Sequence, residues 1–140
     1  MADAPAVRTH HVAISVVDLD LIRGWFAEAF DFETEHLFDV PDGRGAMLRG
    51  PSGDRVELFA CEASTPGLHG ADPGAAMLRR GYGHFALEVA DLDGTYEKLL
   101  GCGATPVWDP RRSPEPGRRM AFVHDPEGNL VELIGVKEPD

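Results

Sequence analysis

Cysteine is scarce in this chain: among 140 residues there are only Cys61 and Cys102, far apart and outside any C-x-x-C spacing. That excludes a disulfide framework and a cysteine-based zinc site. No apolar run is long enough to span a bilayer, and residues 1–9 carry no hydrophobic stretch of the signal-peptide kind. No membrane association is therefore expected, and a reducing, cytoplasmic setting is. Basic residues are outnumbered, 13 Lys and Arg against 24 Asp and Glu, for a net charge of −11. Phosphate backbones are held by basic faces, so no nucleic-acid partner is expected. A phosphate-cradling glycine loop, a nucleophile elbow and a dinucleotide fingerprint are also missing. With 43% hydrophobic and 26% charged residues, what remains is an ordinary globular chain of one-domain size.

What the chain does have is an internal repeat. Pro51-Ser52-Gly53-Asp54-Arg55-Val56-Glu57-Leu58 returns as Pro126-Glu127-Gly128-Asn129-Leu130-Val131-Glu132-Leu133, an offset of 75 residues. His11-Val12-Ala13-Ile14-Ser15-Val16-Val17-Asp18-Leu19 returns as His84-Phe85-Ala86-Leu87-Glu88-Val89-Ala90-Asp91-Leu92, an offset of 73. Two nearly equal offsets mark a duplicated module. One domain over residues 1–140 is expected, with module one at about 8–62, a linker at about 63–80 and module two at about 81–137.

Each copy reads β-α-β-β-β. The stretch His11–Val17 alternates as a strand does, and Asp18 is placed to cap a helix through about Phe30, with Ile22, Trp25, Phe26 and Ala29 as its apolar stripe. Strands follow near Glu35–Val40, Ala46–Arg49 and Arg55–Ala60, parted by turns at Pro41-Asp42-Gly43 and Pro51-Ser52-Gly53-Asp54. The Gly-, Pro- and Ala-rich linker has room for a helical turn at Met77-Leu78-Arg79. The second copy repeats the order: a strand at His84–Val89, a helix capped by Asp91 and ended by Gly101 and Gly103, then strands near Thr105–Trp108, Met120–His124 and Leu130–Val136. Residues Asp109–Arg119, with three prolines and four arginines, read as a surface loop.

Strand parity singles out four polar side chains. His11 alternates with Val12 and Ile14, His84 with Phe85 and Leu87, Glu57 with Val56 and Leu58, and Glu132 with Val131 and Leu133. All four face away from the bulky residues that pack on the helices. Their same-face neighbours include Ala13, Ser15 and Ala86, small enough to leave a cavity. Two imidazoles and two carboxylates suit one divalent transition metal (Fe, Ni, Co, Zn or Mn) and leave positions open for a small-molecule substrate. Taken singly, a strand His or an outward Glu is usually structural. The duplication reverses that weighting. His10, of opposite parity, is expected to point elsewhere, and His36, His69 and His124 have no mirrored partner. Trp108 either lines the cavity or caps a strand, and the arginines at 111–119 either lie solvated or hold an anionic group.

From His11 to Leu133 the chain resembles the vicinal oxygen chelate superfamily, which includes glyoxalase I, methylmalonyl-CoA epimerase, extradiol dioxygenases and the fosfomycin and bleomycin resistance proteins. The resemblance is carried by His11–Leu19, by Gly81-Tyr82-Gly83-His84-Phe85-Ala86-Leu87 and by Ala121-Phe122-Val123-His124-Asp125-Pro126-Glu127-Gly128-Asn129-Leu130-Val131-Glu132-Leu133. It implies an α+β fold in which two paired β-α-β-β-β modules form a cupped, barrel-like mixed sheet with helices outside. It implies metal ligation by His11, Glu57, His84 and Glu132, and a homodimer.

The four-ligand pattern resembles glyoxalase I and the epimerases. It implies a metal-dependent isomerase or lyase acting through an enolate or enediolate, with Glu132 or Glu57 as the catalytic carboxylate. A second reading is an Fe(II) dioxygenase on a catechol-like substrate. That family's signature has a Tyr where this chain has Phe122 and a His upstream, where Arg111–Arg119 has none. A third is a drug- or metabolite-binding resistance protein without turnover.

Overall fold

Two four-stranded mixed sheets carry the chain, one in each half of the sequence. The computed structural model describes residues 3–67 and 69–139. Leu68, inside the expected linker, and Met1, Ala2 and Asp140 lie outside the described residues. The chain divides between Ser64 and Thr65 into two compact units.

The first unit runs β1 (Val12–Ser15), α1 (Leu19–Phe30), β2 (Glu33–Val40), β3 (Gly43–Arg49) and β4 (Arg55–Cys61). Its sheet order is β1-β4-β3-β2, with β1 parallel to β4 and the other pairs antiparallel. The second unit opens with a short helix α2 (Pro73–Met77), then repeats the pattern as β5 (Phe85–Val89), α3 (Leu92–Leu100), β6 (Thr105–Arg112), β7 (Arg119–His124) and β8 (Leu130–Gly135). Its order, β5-β8-β7-β6, is the same arrangement. The α+β reading and the β-α-β-β-β order of each module therefore hold.

Matching capping residues start both long helices. Asp18 accepts a hydrogen bond from the Leu21 amide, and Asp91 accepts one from the Gly94 amide, both at 3.0 Å, which satisfies an amide the helix itself leaves free. Ile22, Trp25, Phe26 and Ala29 recur at helical spacing and are buried where α1 packs on β3 and β4. Leu92, Tyr96 and Leu99 do the same where α3 packs on β6, β7 and β8. The strands answer with their alternate residues. Val56 and Leu58 of β4, and Val131 and Leu133 of β8, are buried, while Glu57 and Glu132 between them are not. The packing of the helix on one sheet face thus decides which residues the other face presents.

Two expectations need correction. Residues 109–119 are not a single loop: β6 continues to Arg112 and β7 begins at Arg119. Proline cannot donate to a ladder, but β6 is an edge strand, and its pairing with β7 shifts register between Pro106 and Trp108 and again between Trp108 and Arg111. Edge position and bulges are where strand prolines are tolerated. The linker helix also lies earlier than Met77-Leu78-Arg79. It starts at Pro73, with the Asp72 carboxylate capping the Ala75 amide at 2.8 Å.

Candidate functional site

Each sheet brings one of the two histidines to one of the two glutamates. In the first unit, His11 Nε2 stands 3.3 Å from Glu57 Oε1. In the second, His84 Nε2 stands 3.1 Å from Glu132 Oε1. The side chains are matched in exposure as well, 33% and 18% in the first pair against 34% and 15% in the second. Among the described residues no group of three or more His, Cys, Asp or Glu side chains is placed to hold a metal ion. The two units therefore carry equivalent His–Glu pairs, one in each.

Register explains the equivalence. In the parallel pairs, Ala13 lies across from Glu57 and Ala86 across from Glu132. In the antiparallel pairs, Met47 lies across from Glu57 and Phe122 across from Glu132. Each carboxylate thus has a methyl group on one side and a bulky apolar side chain on the other. Each histidine immediately precedes the strand that carries the alanine, β1 or β5, which is the edge of its sheet.

The pairs suit a cation chemically. Two cis ligands on an ion with bonds of about 2.1 Å stand about 3.0 Å apart in octahedral and about 3.4 Å apart in tetrahedral geometry. The nitrogen–oxygen separations of 3.1 and 3.3 Å fall in that interval. Imidazole with carboxylate is a donor set for borderline divalent ions rather than for soft ones.

The surroundings of the two pairs differ. Phe122 meets His84 edge-on at 5.0 Å between ring centroids, and Trp108 meets Phe122 edge-on at 5.5 Å. The Arg111 guanidinium lies over the Trp108 ring, 4.9 Å from its centroid. Beside Glu57 the corresponding place belongs to Met47. A different partner appears there: His10 Nδ1 approaches His11 Nδ1 to 2.9 Å. Parity placed His10 on the opposite face, but parity holds only within a strand, and β1 begins at Val12.

The remaining candidates separate cleanly. His124 Nε2 stands 2.8 Å from the Gly70 carbonyl oxygen, and a Cβ at Gly128 would lie 3.1 Å from His69 Nδ1, so both histidines belong to the seat of the linker on the second unit. The arginine cluster is largely committed to carboxylates of its own chain. Arg111 donates to Asp109, Arg118 to Glu88 and Glu115, and Arg119 to both oxygens of Asp93 at 2.8 and 3.1 Å. The hydrogen bonds from Arg119 hold the Asp93 carboxyl below the usual aspartate range.

The family model for the Glyoxalase/Bleomycin resistance protein/Dioxygenase superfamily matches residues 8–133. The chain is 28% identical to Arabidopsis thaliana "Lactoylglutathione lyase GLX1" over 125 residues, 89% of this chain and 42% of that protein. It therefore spans less than half the length of that plant relative. It is also 28% identical to the "Probable lactoylglutathione lyase" of Synechocystis sp., over 89% of this chain and 92% of that one. Among solved structures, a glyoxalase family protein from Bacillus cereus superposes with a TM-score of 0.76 at 25% identity, covering 96% of this chain and 97% of the other. No helix among the described residues is long and apolar enough to cross a membrane.

Proposed function

The chain belongs to the Glyoxalase/Bleomycin resistance protein/Dioxygenase superfamily, and within it we propose that it is a metal-dependent lyase or isomerase. Its substrate would be a small molecule that chelates through two adjacent oxygens and reacts by way of an enolate or enediolate. The observation that carries this reading is the duplicated His–Glu pair, set at ligand spacing on the open face of each sheet. Relatives named as lactoylglutathione lyases point to the same reaction class. A full set of four N and O donors fits it better than the three-ligand chemistry of a dioxygenase.

In this reading the two modules work as one functional domain, and His11, Glu57, His84 and Glu132 together hold one divalent ion (Fe, Ni, Co, Zn or Mn), in a homodimer. The bound ion supplies Lewis acidity toward a substrate carbonyl, which makes the neighbouring C–H more acidic. His11 and His84 act only as anchors, since neutral imidazole ligands cannot also carry the substrate proton. Glu132 or Glu57 takes that proton and returns it to the adjacent carbon, so the exchange balances with no external oxidant or reductant. Ala13 and Ala86 leave the space beside those carboxylates in which a substrate carbon can approach.

The test is the metal content of protein purified with neither added metal nor chelator, beside His11→Ala and Glu132→Ala. Near-stoichiometric transition metal in the wild type, lost in both variants, supports the tetrad, and turnover of glyoxalase or epimerase substrates supports the reaction class. O₂ consumption by the iron form with a catechol would replace this reading with the dioxygenase one. A chain that takes up no ion when offered one would be a binding protein instead.

A further inference from the structure

We propose that His10 is a positioning residue: it accepts a hydrogen bond from His11 Nδ1–H and so keeps the Nε2 lone pair of His11 free for an ion. This rests on the reading of His11 as a metal ligand. Its evidence is the 2.9 Å separation of His10 Nδ1 and His11 Nδ1, with the rings nearly perpendicular at 84° and their centroids 5.1 Å apart. Two imidazole nitrogens at that distance share one proton, so one is an N–H donor and the other a lone-pair acceptor. The opposite nitrogen of His11 is the one that faces Glu57, at 3.3 Å.

The difficulty this arrangement solves is local to a His–Glu pair. A carboxylate facing Nε2 favours a proton on that nitrogen, because Nε2–H can then donate to it. A ligating nitrogen needs the reverse, a lone pair at Nε2 and the proton at Nδ1. In metal sites that other ring N–H is generally held by an acceptor, which fixes tautomer and ring orientation. The Nδ1 of His10 stands in the acceptor position for His11 and places the proton of His10 itself on its own Nε2. Among the described residues the second copy shows no such device: Gly83 precedes His84, and His84 Nε2 makes a 3.1 Å hydrogen bond with Glu132. The two half-sites are alike in ligands and unlike in preparation, with His11 preset for ligation and His84 set by its carboxylate.

The experiment reads tautomers in the metal-free chain and then its metal affinity. Long-range ¹H–¹⁵N NMR, at a pH where both imidazoles are neutral, is expected to show Nδ1–H on His11 and Nε2–H on His10. His10→Ala should move His11 toward the Nε2–H form and leave His84 unchanged. His10→Asn, whose Oδ1 falls near the place of the lost Nδ1, should restore Nδ1–H. Titration with Co²⁺ should then show affinity about tenfold weaker for His10→Ala and near wild type for His10→Asn. An Nε2–H tautomer on His11 of the wild type, or a His11 tautomer indifferent to His10→Ala, overturns the proposal. A wild-type chain that binds no Co²⁺ overturns the ligand reading of His11, and the metal-free tautomers then still decide whether His10 sets the imidazole.

Discussion

Ala86 lies directly across the parallel β5–β8 pair from Glu132, so on its β5 side that carboxylate's neighbour is a single methyl group. Ala13 holds the same relation to Glu57. Both alanines are exposed, so enlarging them changes the site without touching the core. Ala86→Leu and Ala13→Leu are expected to shift stability by no more than about 0.5 kcal/mol. Metal uptake or kcat/KM should fall at least tenfold. Thermal melts beside metal titrations check this; normal uptake and turnover in both variants would show that the space beside the carboxylates is not used.

The two glutamates are equivalent in geometry, but one substrate proton needs one base. Glu57→Gln and Glu132→Gln keep shape and remove the carboxylate. The variant that lacks the base should lose roughly 10²- to 10⁴-fold in kcat. The other should show mainly weakened metal binding. Full kcat in both variants, measured with the ion saturating, would remove carboxylates from the proton transfer.

Acid sensitivity should arise away from the site. Arg55 donates to both oxygens of Glu35, at 2.9 and 3.1 Å, and these hydrogen bonds hold the Glu35 carboxyl below the usual glutamate range. A group whose value is lowered on folding binds more protons in the unfolded chain, so its contribution is complete above the unfolded value of about 4.3 and is lost as pH falls through the folded value. Glu35→Gln should therefore lower stability at pH 7 and flatten the acid limb below about pH 4. Urea midpoints measured from pH 7 down to 3 would show it, and parallel curves for the two proteins would count against it.

Trp25 is buried at 3% exposure, and its Nε1–H has no hydrogen-bond partner among the described residues. A buried donor without a partner costs about 1–3 kcal/mol. Trp25→Phe removes that donor and keeps an aromatic ring against Phe26 and Phe30, with which the indole makes edge-on contacts at 5.1 and 5.4 Å. The loss in volume and the gain in polar satisfaction should nearly cancel, leaving a net change of about 1 kcal/mol or less. Chemical denaturation gives the value; a loss of several kcal/mol would mean that the indole N–H is satisfied in solution.

The repeat made most of this fold legible. Offsets near 75 placed both modules, both aspartate caps and the parity of Glu57 and Glu132, because strand alternation and helix capping are local rules that survive duplication. Beyond Trp108 the reading failed for a tertiary reason: Pro110 looks like a loop residue until β6 is known to be an edge strand with bulges. His10 was missed because its approach to His11 occurs before β1 begins, where alternation has no meaning. Phe122 and Met47 were open to discovery, since the same offset that links Glu57 to Glu132 links them too. What no local rule could supply is the ring sequence from His84 through Phe122 to Trp108, which depends on cross-strand register.

That ring sequence turns the second sheet into its own optical gauge. The chain has two tryptophans, and Trp25→Phe leaves the emission of Trp108 alone. Its indole touches Phe122, and Phe122 touches His84. Turning or loading the His84 ring is therefore expected to shift that emission through the one intervening phenyl group. A change in Trp108 emission on metal addition would then read the proposed ligand His84 in a channel separate from turnover.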